Sequence, residues 1–465
     1  GITMSKTKIG ILGLALELYK TLSPGVIEGR EQWVRQAVVP ALGGMDAHFT
    51  SAACTADEID AAVRDCESAR CDAIIVILLT YSPSLAAAGA LKRTALPILV
   101  WNTQELFSVD QSFTTREMLD NHGVHGTQDL CNVLLRAGVK FHYVTSHLLD
   151  DAGAAGIADF ASAAAAAAAV RRSRVGMIGH PFPGMGDMAF DTAFMTSTLG
   201  ASPVHISVRE YNEACDAADG GETSRLVAEY KSSYLVADDV SQQDLQSTAK
   251  AELGVRSLIE RHRLDALTFQ FLALGDDSAT RTMPFVGISR LMGEGVGFGG
   301  ECDCIASVGT MLLDRLAAPA TFSEIFTIDF GHNAVLMSHM GEMNPAMSKS
   351  PDKPRLVVRP NIAPTIDRQL VLTPRIAAGP ATLCSLTLGP NSRWRIIASS
   401  AQILDYQCDL VMPHFKLGFA GDVRDVLTSY ARAGGPHHNA VCFGDARRRL
   451  SMAAGMMDAD YIQLD

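Results

Sequence analysis

Three unbroken apolar runs mark the first part of the chain: Lys8 to Leu16 (KIGILGLAL), Asp72 to Leu79 (DAIIVILL) and Leu96 to Trp101 (LPILVW). Continuous runs of leucine and β-branched residues are what strands buried on both faces of a parallel sheet require. Between them, Glu31 to Val39 and Glu58 to Arg70 (EIDAAVRDCESAR) read as helices. Strands alternating with helices predict a doubly wound α/β domain, whose ligands gather at the carboxyl ends of the strands. Thr80, Tyr81 and Asn102 to Gln104 fall on that rim. Asp120 to Arg136 places His122 and His125 around two glycines ahead of a further helix.

Ala161 to Val170 is almost pure alanine and reads as a helix, because alanine is the best helix former. Arg174 to Gly179 then opens a second βα series, followed by a Pro/Gly-shaped loop, His180 to Met188 (HPFPGMGDM). Ala266 to Leu274 (ALTFQFLAL) reads as the last strand of that series, Pro284 to Gly293 as a short helix, and Ile305 to Leu316 as another. From Phe326 onward short alternating segments, among them Arg355 to Val358, Thr382 to Leu388 and Arg393 to Ser399, point to antiparallel strands. The expected fold class is α/β: two doubly wound parallel-sheet domains, residues 4–172 and 173–314, followed by a β-rich C-terminal domain, residues 315–465.

Apolar residues make up 48% and charged residues 19% of the chain, enough for large buried cores. The formal charge of -12 argues against a nucleic-acid partner, which needs a basic face. Ten cysteines without a CxxC read as free thiols, as in a cytoplasmic enzyme. No stretch is expected to have the length and apolarity of a membrane span. Gly1 to Thr3, ahead of Met4, look like a vector-derived scar and are set aside.

The chemistry concentrates around Gly293 to Cys304 (GEGVGFGGECDC), where five glycines lead into Glu301, with Asp303 two places on. Glycines serve where a backbone bends tightly or approaches another group closely. Gly295, Gly297 and Gly300 satisfy the dinucleotide fingerprint as a string, but a helix precedes them and an acid follows, which would repel a pyrophosphate. Glu301, Glu324, His339 and His438 together offer carboxylate oxygens and imidazole nitrogens, a set suited to Mn²⁺ or a neighbour such as Co²⁺ or Mg²⁺ rather than to zinc held by thiolates. Spacing alone does not bring them together, so four unrelated polar residues remain the alternative at this point. The paired histidines His437 and His438 on a Gly-Pro turn are unusual for a structural loop.

Several separate blocks resemble the L-arabinose isomerases, within the group that also contains L-fucose isomerase. GFGGECD at Gly297 to Asp303 is similar to a GFAGEGD-type block, with Cys302 in place of glycine. TFSE at Thr321 to Glu324, VLMSHMGE at Val335 to Glu342 and AGGPHH at Ala433 to His438 resemble further blocks, and Asn102 to Gln104 and His125-Gly126 weaker ones. The resemblance implies a metal-dependent aldose–ketose isomerase with metal ligands Glu301, Glu324, His339 and His438. It implies proton exchange between substrate and the two glutamates. It places His437, Met185, Phe271, Tyr19 and Gln104 toward the sugar, and His125 toward a neighbouring subunit's site. It further implies a homo-oligomer, trimer or hexamer, with shared active sites. Departures are Leu16 to Leu18 ahead of Tyr19, where the family has a glutamine, a longer loop at His180 to Met188 and an early end at Asp465. They leave the sugar open, with an L-fucose- or D-arabinose-type isomerase or a non-catalytic sugar-binding homologue as alternatives.

Overall fold

The computed structural model describes residues 6–465. Gly1 to Thr3, and the expected start of the first domain at Met4, lie outside the described residues. The chain divides into two compact units, one ending at Ala168 and the other running from Ala169 to Asp465.

The first unit is built on a parallel sheet of order β2-β1-β3-β4-β5, with β1 at Lys8–Leu14, β2 at Asp46–His48, β3 at Ala73–Leu78, β4 at Ile98–Asn102 and β5 at His142–Thr145. All six residues of β3 are buried, which is why its sequence is apolar without alternation. The helix Ala56–Ser68 starts where Thr55 and Glu58 form a reciprocal capping box, and buries Ile59, Val63 and Cys66 against the sheet. The helix expected at Glu31 to Val39 begins earlier, at Val26, and continues through a wide-turned stretch, Val34–Val38, to Ala41.

The helix Asp151–Arg172 corrects the expectation about membrane spans. By length and composition it is apolar enough to cross a membrane, and 61% of its most apolar window is buried within the fold, as an interior helix would be. The alanines that make it apolar are small, and Phe160, Ala163, Ala166 and Val170 pack without exposure.

The second unit opens with a three-stranded parallel sheet of order β7-β6-β9, with β6 at Arg174–Ile178, β7 at Ser202–Ile206 and β9 at Ala266–Phe269. A short strand β8, Leu235–Val236, joins a separate sheet with β12, Arg355–Ala363, and β13, Ile366–Thr373. The strand expected through Leu274 stops at Phe269, because the Gln270 side chain accepts the N–H groups of Leu272 and Ala273 and starts a helix, Phe271–Gly275. Gly297 bridges to Ala266, so the glycine-rich stretch runs beside β9 like a rudimentary further strand.

The β-rich part begins at Ala320, ahead of the expected Phe326. It comprises β10 at Ala320–Asp329, β11 at Ala334–Ser338, β14 at Gly379–Leu388, β15 at Trp394–Leu404, β16 at His414–Gly418, β17 at His438–Phe443 and β18 at Asp460–Gln463. The order β14-β17-β10-β11-β16-β15 closes on itself, since β14 also pairs β15, and β18 flanks β15 in parallel. Closure removes the exposed edges that an open sheet would leave. Val335, Met337, Leu383, Ile403, Phe415, Leu417 and Val441 form its core.

Candidate metal centre

Two of the four candidate ligands lie on neighbouring strands, and a third directly follows the next strand. Glu324 on β10 lies opposite His438 on β17 and, on the other side, opposite Ser338 on β11. β11 ends at Ser338, so His339 is free of strand alternation and turns its ring toward the same place. Phe322, two residues before Glu324, stands edge-on to both imidazoles, with centroids at 4.7 and 5.0 Å. It is itself fully buried in the hydrophobic core.

The fourth candidate, Glu301, is presented by the glycine-rich turn. A Cβ at Gly300 would lie 2.4 Å from His339 Cε1 and 2.7 Å from Nε2, so only glycine fits against that ring. Glu301 and Cys302 follow with φ of 60° and 65°, left-handed backbone that costs about 1 kcal/mol or more at each side-chain-bearing residue. Hydrogen bonds hold this strained pair in place: Cys302 N–H donates to the Phe269 carbonyl at 3.0 Å, Phe182 N–H donates to the Glu301 carbonyl at 3.1 Å, and the Thr268 hydroxyl donates to the Gly299 carbonyl. Asp303 then caps the helix Cys304–Ala317, accepting the Ala306 N–H at 2.9 Å.

One donor atom from each of Glu301, Glu324, His339 and His438 lies within 4.8 Å of all the others. His339 Nε2 is 3.6 Å from Glu301 and 3.6 Å from Glu324, and His438 Nε2 is 3.3 Å from Glu301 and 3.9 Å from Glu324. A cation about 2.1 Å from each donor places adjacent donors about 3 Å apart and opposite ones about 4.2 Å apart, close to this spread. The two Nε2 atoms are buried and have no hydrogen-bond partner. An unsatisfied buried polar atom costs about 1–3 kcal/mol, so two of them facing two carboxylates form a set that a divalent cation completes.

Each imidazole is oriented from behind. His339 Nδ1 lies 2.6 Å from Glu342, and His438 Nδ1 lies 2.8 Å from Asp303. A carboxylate accepting the Nδ1 proton leaves Nε2 as the metal-facing atom and fixes the ring. Asp303 thus caps a helix with one oxygen and aims His438 with the other. His437 is held by Asp187, which accepts its backbone N–H at 2.9 Å and its Nδ1 at 2.7 Å, leaving Nε2 3.4 Å from Glu301.

The imidazoles around the two carboxylates balance their charge from within the protein's own side chains. Burial works against the charge of Glu301, but the neighbouring imidazoles of His339, His437 and His438 hold its carboxyl well below the usual range. Burial raises Glu324. Burial also opposes charge on His339, yet Glu342 and Glu301 lift it to about 10. Asp187 and then Glu301 lift His437 to about 10 as well. Protonated imidazoles therefore supply the positive charge that the carboxylates demand. Cys302, the glycine replacement, is buried and its thiol is pushed up to about 12, which removes it as a nucleophile.

The structure gathers Glu301, Glu324, His339, His438 and His437. Met185 sits half-buried two residues before Asp187, and Phe271 lies 5.9 Å from Phe182, whose backbone is bonded to Glu301. Tyr19, Gln104 and His125 belong to the first unit. There Tyr19 bonds His122 at 2.8 Å, His125 stacks on Tyr81 at 5.0 Å, and Gln104 donates to the Leu106 carbonyl at 3.1 Å. Sequence reasoning missed the parts played by Asp187, Phe322 and Glu342. The spacing of Glu342 three residues after His339 was the one usable signal.

Residues 192–318 match the L-arabinose isomerase central domain, 319–460 the L-arabinose isomerase C-terminal domain, and 34–171 the N-terminal domain of the fucose/sulfoquinovose isomerases. An L-arabinose isomerase of Nocardioides sp. is 26% identical over 411 residues, spanning 85% of this chain and 80% of its own length. Those of Mycolicibacterium smegmatis and Serratia proteamaculans are 26% and 24% identical over 438 and 432 residues, each spanning 88% of this chain and 84% of the relative. An ABC-transporter periplasmic solute-binding protein of Actinobacillus succinogenes with bound D-allose overlaps 58% of this chain and 80% of its own at a TM-score of 0.18 and 16% identity, too slight to carry an argument. The central and C-terminal matches, contiguous over most of the second unit, together with relatives aligned along most of the chain, place it in the L-arabinose isomerase family, as a sugar isomerase that interconverts aldose and ketose.

Proposed function

We propose that the protein is a metal-dependent aldose–ketose isomerase using Mn²⁺ as its first choice among divalent cations, held by Glu301, Glu324, His339 and His438. The observation that carries this reading is the pair of orphaned, buried Nε2 atoms facing two carboxylates. Two imidazole nitrogens and two carboxylate oxygens suit Mn²⁺, with Co²⁺ and Mg²⁺ as substitutes. When bound, the cation offsets negative charge that develops on the two sugar oxygens as hydrogen moves between C1 and C2. Glu301 and Glu324 perform the proton transfers through an enediolate of the sugar: one removes the C2 proton, and the other takes the O2 hydroxyl proton, with one proton returned to C1 and one to O1 so that none is gained or lost. His437, clamped by Asp187, directs Nε2 toward a sugar oxygen beside Glu301. The same reading carries a cytoplasmic homo-oligomer of three or six subunits with shared sites, which sedimentation velocity checks.

The decisive experiment is turnover of L-arabinose, D-galactose, L-fucose and D-arabinose by chelator-stripped protein, with and without Mn²⁺. Activity restored by Mn²⁺ is expected, and activity unchanged by exhaustive chelation would overturn the metal reading. Metal binding should also respond to pH. His339 holds its proton up to about 10 in the metal-free protein, and a ligand must be deprotonated to bind. Mn²⁺ uptake at neutral pH should therefore release protons, and affinity should rise with pH by about tenfold per unit for each proton released. Calorimetry in buffers of different ionisation enthalpy measures that number directly, and zero protons released would contradict the assignment.

A further inference from the structure

A buried guanidinium without a counter-ion is costly, so an arginine in that state marks a place where negative charge arrives from elsewhere. The other largely buried arginines pair with carboxylates. Arg290 meets Glu252 at 3.0 Å and Glu229 at 2.5 Å, and Arg256 meets Glu252 at 2.9 Å and Glu294 at 2.7 Å. Arg30 faces Glu105 at 2.5 Å and Asp120 at 3.4 Å, and Arg315 faces Asp314 at 3.4 Å. Arg359 differs. Half-buried on β12, it forms no ion pair with a carboxylate among the described residues; its hydrogen bond runs from Nη2 to Met340 Sδ at 3.8 Å, and its Nε, like those of Arg30, Arg355 and Arg395, is buried without a partner.

Its position is fixed beside the metal centre. Met340 directly follows His339 in the chain. The strand β12 holds Arg359 opposite Gln369, whose side-chain amide donates to the Arg359 carbonyl. Leu356 and Val358 turn inward to pack with Tyr230 and Tyr234, which leaves Val357 and Arg359 alternating onto the opposite face. Val357 packs there against the same core as Phe271 and Met340. The turn after β12 is tied to the helix that starts at Phe271 by the Thr365 hydroxyl, which donates to the Gly275 carbonyl. The neighbouring carboxylate, Glu342, is already committed, since its Oε2 lies 2.6 Å from His339 Nδ1 and accepts the Gly341 N–H at 3.2 Å. Burial disfavours charge on Arg359, and the field of Glu342 offsets only part of that.

We propose that Arg359 determines specificity, and that the substrate is an aldose bearing an anionic group (carboxylate, phosphate or sulfonate) remote from C1. The proposal rests on the isomerase reading above. With the reacting carbons at the four metal ligands, a guanidinium beyond Met340 meets a part of the sugar farther along its chain. A neutral hydroxyl there leaves the guanidinium charge uncompensated, whereas an oxyanion forms charge-assisted, bidentate hydrogen bonds with it.

The test compares kcat/KM of the Mn²⁺-loaded enzyme on neutral aldoses with that on a hexuronate, a hexose 6-phosphate and a 6-sulfohexose, the three arms separating the anions. One anionic sugar is expected to exceed every neutral one. Arg359→Met should lower kcat/KM for it by about 10- to 100-fold, mainly through KM, while changing neutral sugars little. Arg359→Lys, which keeps the charge, should recover part of the loss. Unchanged melting temperature and Mn²⁺ affinity in both variants separate the effect from misfolding. Calorimetric binding of a hexitol 6-phosphate or an aldonate gives a readout that needs no turnover, and Arg359→Met should weaken it. Equal kcat/KM on neutral and anionic sugars in both proteins overturns the specificity assignment and leaves the isomerase reading standing. No turnover on any sugar, with anionic polyol binding still lost in Arg359→Met, overturns the isomerase reading and supports anion recognition by Arg359.

Discussion

Glu324→Gln is expected to leave a folded protein whose kcat, measured at saturating Mn²⁺, is lower by about 10³-fold. Glutamine keeps the size and the β10 register of the side chain, but neither exchanges protons nor carries the charge that a cation needs. Fold stability should survive the change. Burial raises the proton affinity of Glu324, so its negative charge adds no stability to the fold before a cation binds. For a group whose folded pKa is raised, the stabilising contribution is present below the unfolded value and fades as pH rises; removing the charge therefore costs nothing near pH 7. The metal-free melting temperature should be unchanged or slightly higher. Mn²⁺ affinity will fall as well, which is why kcat must be read at saturation by the cation. A variant that turns over at the wild-type rate under those conditions would remove Glu324 from the chemistry.

Gly300→Ala is the second large effect. The new methyl would fall 2.4 Å from His339 Cε1, 2.7 Å from Nε2 and 3.2 Å from Phe322 Cζ. His339 has nowhere to go, because Glu342 holds its Nδ1 at 2.6 Å and the edge of Phe322 supports its ring. The imidazole must rotate or the turn carrying Glu301 must lift, and either movement separates two of the four donors. Loss of Mn²⁺ affinity by about 100-fold is expected, with overpacking lowering stability by about 1–3 kcal/mol. Gly220→Ala is the control, since a Cβ there meets nothing within 4 Å. Calorimetric Mn²⁺ titration with a thermal melt of both variants reads the difference, and equal affinity in the two would mean that the tight approach at Gly300 plays no part in metal binding.

The parallel sheets were legible because β3 is buried throughout, and β1 and β4 are buried at all but one terminal residue each, which leaves unbroken apolar runs. The glycine-rich turn was legible for a related reason: glycine is demanded where the turn touches His339, and a carboxylate follows at once. Other features leave no such local trace. Gln270 ends β9 by turning its side chain back onto two N–H groups, an event hidden inside a stretch that is apolar on both sides. Closure of the six strands depends on β14 meeting both β15 and β17, pairings far apart in the chain that no periodicity encodes. Asp187 and His437 are 250 residues apart, so their clamp exists only after folding. Arg359 reads in sequence as an ordinary charged strand residue, and only the missing counter-ion sets it apart.

On the proposed metal reading, the tandem imidazoles His437 and His438, at the entry to β17, tie the ligand set to the pairing of two strands. His438 faces Glu324 because β17 meets β10 in one alignment. Shifting that alignment by a single step would hand the position to His437, whose ring is anchored to Asp187 instead of Asp303, and the cation would lose its aimed nitrogen. On the proposed metal reading, a bound cation would act as a lock on strand alignment, and a chain that zips up one step out of place would announce itself by failing to load.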